Sequence, residues 1–239
     1  FSDNPKFEKT VEARGIWKKI VHNAWKSAEP GILFWDTIIN ESVPDCYADL
    51  GYKTVSTNPC GEIPLCPYDS CRLLAINLFS YVEKPFTKEA SFNFELFEKH
   101  IAFAQRIMDD IIDLELEKVD AIIRKIDGDP ETEEIKLVER NLWLNIQNKA
   151  REGRRTGIGI TAEGDMLAAL GIQYGSEEGN SFSEEIHKTM AISAYRASVN
   201  TAKERGAFEI FDAEREKNNP FIKRLKEVDS QLYYEMLEY

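Results

Sequence analysis

The sequence predicts an α/β fold, layered or closed into a barrel. Short extended or apolar runs at 55–65, 73–82 and 157–160 alternate with long stretches of helical periodicity. No internal repeat, low-complexity run or obvious linker breaks that alternation. The 239 residues, 43% hydrophobic and 30% charged, are enough to bury a core, and 1–239 reads as one domain.

The elements follow in order. Residues 7–28 read as a helix because Val11, Ile16, Trp17, Ile20, Val21, Ala24 and Trp25 recur at roughly helical spacing. Glu29-Pro30-Gly31 ends it with a turn. The run ILFWDTII is either a strand or the opening of another helix, residues 42–57 read as loop, and 55–65 as extended chain. Residues 73–82 look like a strand with Asn77 inside it. The clearest helix carries Phe94, Phe97, Ile101, Ala104, Met108, Ile111 and Ile112 on its apolar face. A polar turn at 127–134 leads to a further helix reaching about Arg151. A loop, a short strand at 157–160 and a helix to Leu170 closed by Gly171 come next. A long amphipathic helix over 183–205 stops at Gly206, and a charged helical tail follows.

The net charge of −12, from 30 basic and 42 acidic side chains, argues against a nucleic-acid-coating surface. It leaves room for a local basic pocket that holds a small phosphorylated molecule. No run of about 18 apolar residues predicts a membrane span. The start, FSDNPKFEKT, has neither the basic nor the apolar region of a signal peptide, so the expected location is the cytoplasm. A chain that begins at Phe and ends in LYYEMLEY reads as a piece of something longer. Four cysteines without a secretion signal do not predict a disulfide framework.

Three of those cysteines fall within STNPCGEIPLCPYDSCRLLAINL, residues 56–78. In extended chain, side chains two apart share a face, about 7 Å apart at roughly 3.3 Å per residue. Asn58, Cys60 and Glu62 would then present an amide, a thiol and a carboxylate over the span of a sugar ring. Pro59 stiffens the chain and Gly61 lets it bend or approach a ligand closely. Two other readings stand beside this one. Asn58-Pro59-Cys60-Gly61 is also a plain turn with a buried thiol. Cys60, Cys66 and Cys71 are also three soft zinc ligands, although their spacings are not those of usual zinc motifs and only Cys46 could complete the set.

Other features invite functional readings. Asp109, Asp110, Asp113, Glu115 and Glu117 crowd one stretch, and Asp109 and Asp113 share a helix face as dimetal carboxylates do. The matching Glu-x-x-His partner is missing, so the stretch reads as a solvated helix face. Gly157 and Gly159 fail the full phosphate-loop pattern at Ala162 and read as close strand packing. Arg154 and Arg155 could face a phosphate, but exposed arginines are commoner.

The string NPCGEIPL, with a second cysteine eleven residues after the first in SCRLLAINL, closely resembles the active-site segment of ribonucleotide reductases, most of all the adenosylcobalamin-dependent class. AWKSAEPGILFWDTIIN, RRTGIGITAEGDMLAALGIQYGS and AYRASVNTAKERGAFEIF resemble other segments of that family in the same order. The resemblance implies part of a ten-stranded α/β barrel, shared with pyruvate formate-lyase-like enzymes, with the radical cysteine on a central loop. It implies reduction of ribonucleoside di- or triphosphates to deoxyribonucleotides for DNA synthesis. Residue by residue, it makes Cys60 the thiyl-radical cysteine that removes hydrogen from C3′ of the ribose. Glu62 becomes the base on the 3′-hydroxyl, Asn58 a hydrogen-bonding partner of the sugar hydroxyls, and Cys71 one of two redox thiols. It further implies adenosylcobalamin, an external thioredoxin-like dithiol reductant, and a homodimer in a full-length parent. The family's second redox cysteine lies upstream and its phosphate loop downstream; neither is in this sequence, so the isolated chain is expected to be inactive. Cys66 and Cys46 read as structural. The rival expectation is a non-catalytic cysteine-bearing interaction module able to hold zinc.

Overall fold

The computed structural model describes residues 8–239. Residue contacts divide the chain into two units, Phe1–Ile38 and Ile39–Tyr239. In the first, α1 (Ala13–Ser27) is the expected helix, although 8–12 are not helical and residue 7 lies outside the described residues. Ala28 adopts a left-handed φ of 58°, its N–H closes on the Ala24 carbonyl, and the chain leaves the helix there. None of α1 is buried: Trp17 and Val21 are exposed, and Trp25 is 81% exposed. The run ILFWDTII resolves as a helix, since α2 (Trp35–Glu41) starts within it.

The second unit is built on α3 (Phe94–Gly128), which runs well beyond the stretch whose apolar spacing first marked it. The Asn93 side chain accepts the Leu96 N–H and starts the helix. Phe97, Ile101, Ala104, Met108 and Ile112 form its buried stripe, continued by Val119, Ile123 and Ile126. A large apolar side chain so buried contributes about 1.5–3 kcal/mol. This stripe faces α4 (Glu133–Gly153) and α6 (Glu177–Arg205). α6 begins earlier than the apolar periodicity indicates, because Ser176 Oγ accepts the Gly179 N–H and supplies the cap. Between them, α5 (Glu163–Leu170) ends at Gly171, whose φ of 76° is the left-handed geometry that the sequence marked.

The strands are short: β1 (Ser56–Thr57), β2 (Pro64–Leu65), β3 (Leu74–Asn77), β4 (Val82–Glu83), β5 (Ser91–Phe92) and β6 (Ile158–Thr161). Among the described residues they form three two-stranded sheets and no closed barrel. β1 with β2 and β4 with β5 are antiparallel, while β3 pairs parallel with β6 in the register Leu74↔Ile158 to Asn77↔Thr161. α3 and α4 lie in the long crossover that parallel pairing demands. The expected strand over 73–82 breaks at Asn77, whose side chain accepts the Phe79 N–H and opens a 3-10 turn, Leu78–Tyr81. That turn, with Phe97, Ile101, Met166, Leu167 and Ile186, makes the main core, and Ile76, Ile158 and Ile160 pack against it. The tail folds as α7 (Ala213–Glu216), α8 (Pro220–Val228) and α9 (Ser230–Glu238), capped by Asp212, Asn219 and Asp229.

Close strand packing at the glycine pair holds at one position of the two. A Cβ on Gly157 would lie 2.3 Å from the Arg72 carbonyl oxygen, whereas a Cβ on Gly159 would meet nothing within 4 Å. Gly157→Ala is therefore expected to push the β3 and β6 backbones apart and cost about 1–3 kcal/mol. Gly159→Ala should stay within about 0.5 kcal/mol of the parent. Urea unfolding of the two variants checks the contrast; equal stability would contradict it.

Candidate active site

The segment 55–65 is not one extended strand. It is a hairpin: Val55 and Asn58 donate to the carbonyls of Leu65 and Ile63, and β1 returns as β2. The reversal is Asn58-Pro59-Cys60-Gly61, closed by the Gly61 N–H on the Asn58 carbonyl at 3.0 Å. Proline fits the second position of such a turn, and Gly61 has a left-handed φ of 84°. The alternation that would put Asn58, Cys60 and Glu62 on one face therefore does not apply, because it holds only while the backbone stays extended. The turn reading is correct in its backbone and wrong in its thiol, since Cys60 is exposed at the tip. Glu62 is also exposed, two residues on.

Asn58 points the other way and is 7% exposed. Its Oδ1 accepts the Ile63 N–H at 3.0 Å, and its Nδ2 donates to Cys71 Sγ at 3.5 Å. One amide thus ties the Cys60 turn to the segment that carries Cys71. Cys71 itself lies three residues before β3 rather than on it, and its side chain is exposed.

The other two cysteines take a different course. Cys66 is 4% exposed in a small core with Tyr47 and Tyr52, with Cys46 half-buried beside it. Burial, reinforced by Asp69, pushes the Cys66 thiol up to about 11. Burial, with Glu216 nearby, pushes the Cys46 thiol up to about 12. Both stay protonated near neutral pH and are poor nucleophiles. Among the described residues the thiols do not gather as a metal-ligand set.

Arginines brace this assembly. Arg155 donates to Asp69 and, at 2.8 Å, to the Pro64 carbonyl. Arg72, 8% exposed, reaches Glu115 at 2.5 Å and the Arg155 carbonyl at 3.0 Å. The hairpin, the Cys71 segment, the approach to β6 and helix α3 are thereby linked.

A model of the ribonucleotide reductase barrel domain matches residues 1–234. The chain belongs to that family. A vitamin B12-dependent ribonucleoside-diphosphate reductase of Thermoplasma acidophilum is 34% identical over 203 residues, 85% of this chain and 22% of that protein. One of Mycobacterium tuberculosis, with the same name, is 31% identical over 211 residues, covering 87% of this chain and 26% of its own length. A vitamin B12-dependent ribonucleotide reductase of Agrobacterium fabrum is 26% identical over 88% of this chain and 14% of its own length. The chain thus spans about a quarter or less of these relatives.

The acidic stretch on α3 is a solvated face only in part: Asp113 and Glu117 are exposed, whereas Asp109 and Glu115 are held by arginines. Asp109, 8% exposed, accepts from Arg154 Nε at 2.8 Å and Arg205 Nη1 at 2.6 Å. Asp113 accepts from Arg154 at 2.8 Å, and Asp110 from Arg205 at 2.6 Å. Two guanidinium groups neutralise the carboxylates that could have gathered a cation, and they pin α6 and the end of α4 to α3. Arg154 and Arg155 are thus paired with carboxylates and are not free surface charges. Sequence reasoning missed Arg72, Arg155 and Glu115 as neighbours of the cysteine segment. Their partners lie 43 to 91 residues away along the chain, and no local spacing marks such pairs. Among the described residues, no helix is long and apolar enough to cross a membrane.

Proposed function

We propose that the protein carrying this chain reduces ribonucleotides to deoxyribonucleotides, and that this chain is part of its ten-stranded barrel, including the loop that bears the radical. The observation that carries the reading is the Asn58 amide between the Cys60 turn and Cys71. The chemistry needs one sulfur to abstract hydrogen and another to give electrons, and here one amide ties the turn that bears the exposed Cys60 to the exposed thiol of Cys71.

In this reading Cys60, as a thiyl radical, takes hydrogen from C3′ of the ribose. Glu62 accepts the proton of the 3′-hydroxyl. Asn58 keeps its oxygen on the hairpin and one N–H on Cys71, which leaves its second N–H for a sugar hydroxyl. Replacing a C–OH by C–H releases water and consumes two electrons. Cys71 and a second thiol from outside this chain supply them and end as a disulfide, which an external thioredoxin-like dithiol returns to the reduced state.

The relatives' names support adenosylcobalamin as the radical source and ribonucleoside diphosphates as substrates. The exposed Cys60 fits such a source by being open to approach, while the turn around it offers no cradle for a corrin, so other parts of the protein would hold the cofactor. When bound, the cofactor supplies the radical that Cys60 carries.

The test incubates the protein with a ribonucleoside diphosphate, adenosylcobalamin and a dithiol, and measures deoxynucleotide by chromatography. The wild type is expected to form it. Glu62→Gln should lose about 10²–10⁴-fold in rate, the usual contribution of a general base. A wild-type protein that forms none under these conditions would overturn the reading.

A further inference from the structure

The geometry points to Glu115 as a positioning residue for Cys71. Glu115 sits on α3, 44 residues beyond Cys71 in the sequence, and its two carboxylate oxygens hold the two neighbours of that cysteine. Ser70 Oγ donates to Oε1 at 2.8 Å, and Arg72 Nε donates to Oε2 at 2.5 Å. Ser70 and Arg72 both reach the helix side, and the side chain between them faces away from it. The exposures agree: Arg72 is buried, Ser70 half-buried and Cys71 exposed. On that outer side Cys71 meets the Asn58 amide. Downstream, Arg72 bonds the Arg155 carbonyl and Leu74 the Gly157 carbonyl, which fixes the segment along β6.

α3 is fixed in the core through Phe97, Ile101, Met108 and Ile112, all fully buried. A carboxylate on it is a rigid anchor. A lone hydrogen bond would leave the segment free to pivot about that bond, whereas two bonds from one planar group fix its rotation as well. Glu115 touches no reacting atom. It acts through Ser70 and Arg72 on where the Cys71 sulfur lies, and this role rests on the ribonucleotide reductase reading only for its consequence in turnover.

The test uses the protein carrying this chain and two readouts. The first is the ratio of deoxynucleotide to released free base. Glu115→Ala should lower deoxynucleotide formation about 10²-fold, the scale of a misplacement of about 1 Å, with KM within about twofold of wild type. Hydrogen abstraction at Cys60 would continue, so free base should accumulate, the outcome also expected for Cys71→Ser. Glu115→Gln, whose oxygen can accept from Arg72 and whose amide can donate to Ser70, should recover activity to within about tenfold. The second readout is amide hydrogen exchange at Ser70 and Leu74, whose N–H groups are bonded to the Asp69 side chain and the Gly157 carbonyl; it should rise about tenfold in Glu115→Ala while Leu78–Tyr81 stays unchanged. Glu115→Ala leaves the buried Arg72 without its carboxylate and risks unfolding. Ser70→Ala removes one arm with no change of charge, and should show a smaller shift in the same direction in both readouts. Unchanged exchange at Ser70 and Leu74 in Glu115→Ala or Ser70→Ala overturns the proposal, as does a wild-type product ratio in a folded Glu115→Ala protein. If the wild type forms no deoxynucleotide, the functional reading fails separately, and the exchange data alone decide whether Glu115 holds the Cys71 segment.

Discussion

Cys60→Ser is expected to abolish deoxynucleotide formation without unfolding the protein. The alcohol O–H bond is much stronger than the thiol S–H bond, so the radical that abstracts hydrogen cannot form on serine. The substitution is otherwise mild. Cys60 is exposed at the tip of a turn whose hydrogen bonds come from the Asn58 and Gly61 backbone and the Asn58 side chain, none of which involves its sulfur. An exposed change of this kind normally moves stability by no more than about 0.5 kcal/mol. Chromatography of the nucleotide products, with a thermal melt of the same sample, separates loss of chemistry from loss of fold. A fully active Cys60→Ser protein would remove the radical assignment.

Cys71→Ser is expected to fail in a different way. Cys60 would still start the reaction, but the electrons that complete reduction would be missing, so the substrate should decompose and release free base instead of giving deoxynucleotide. Serine can still accept the Asn58 amide, so the hairpin should keep its place against the segment. Cys66 is the control. Buried between Tyr47 and Tyr52, with its thiol pushed up to about 11, it is a poor electron donor at neutral pH. A protein inactivated at Cys66 and active without Cys71 would show that the redox cysteine had been misassigned. Free-base release, measured beside deoxynucleotide yield, distinguishes these cases.

What the sequence by itself determined is local. The Asn-Pro-Cys-Gly turn, the cap at Gly171, the apolar stripe of α3 and the family-specific cysteine string all depend on residues within a few positions of one another. Their signals survive in one dimension because the hydrogen bonds and periodicities that create them are themselves short-range. The same reasoning failed where a local pattern admits two backbones. An extended reading of 55–65 put Asn58, Cys60 and Glu62 on one face, and the hairpin separates a buried Asn58 from an exposed Cys60. Only the tertiary structure decided that Asn58 meets Cys71, that β3 lies beside β6, and that Arg154 and Arg205 neutralise Asp109. It also decided that Glu115, a residue which looks solvated in the sequence, holds both neighbours of Cys71. Each of these depends on how α3 packs between distant segments. A charge or an amide carries no mark of its partner until burial brings the two together and makes leaving either one unpaired costly.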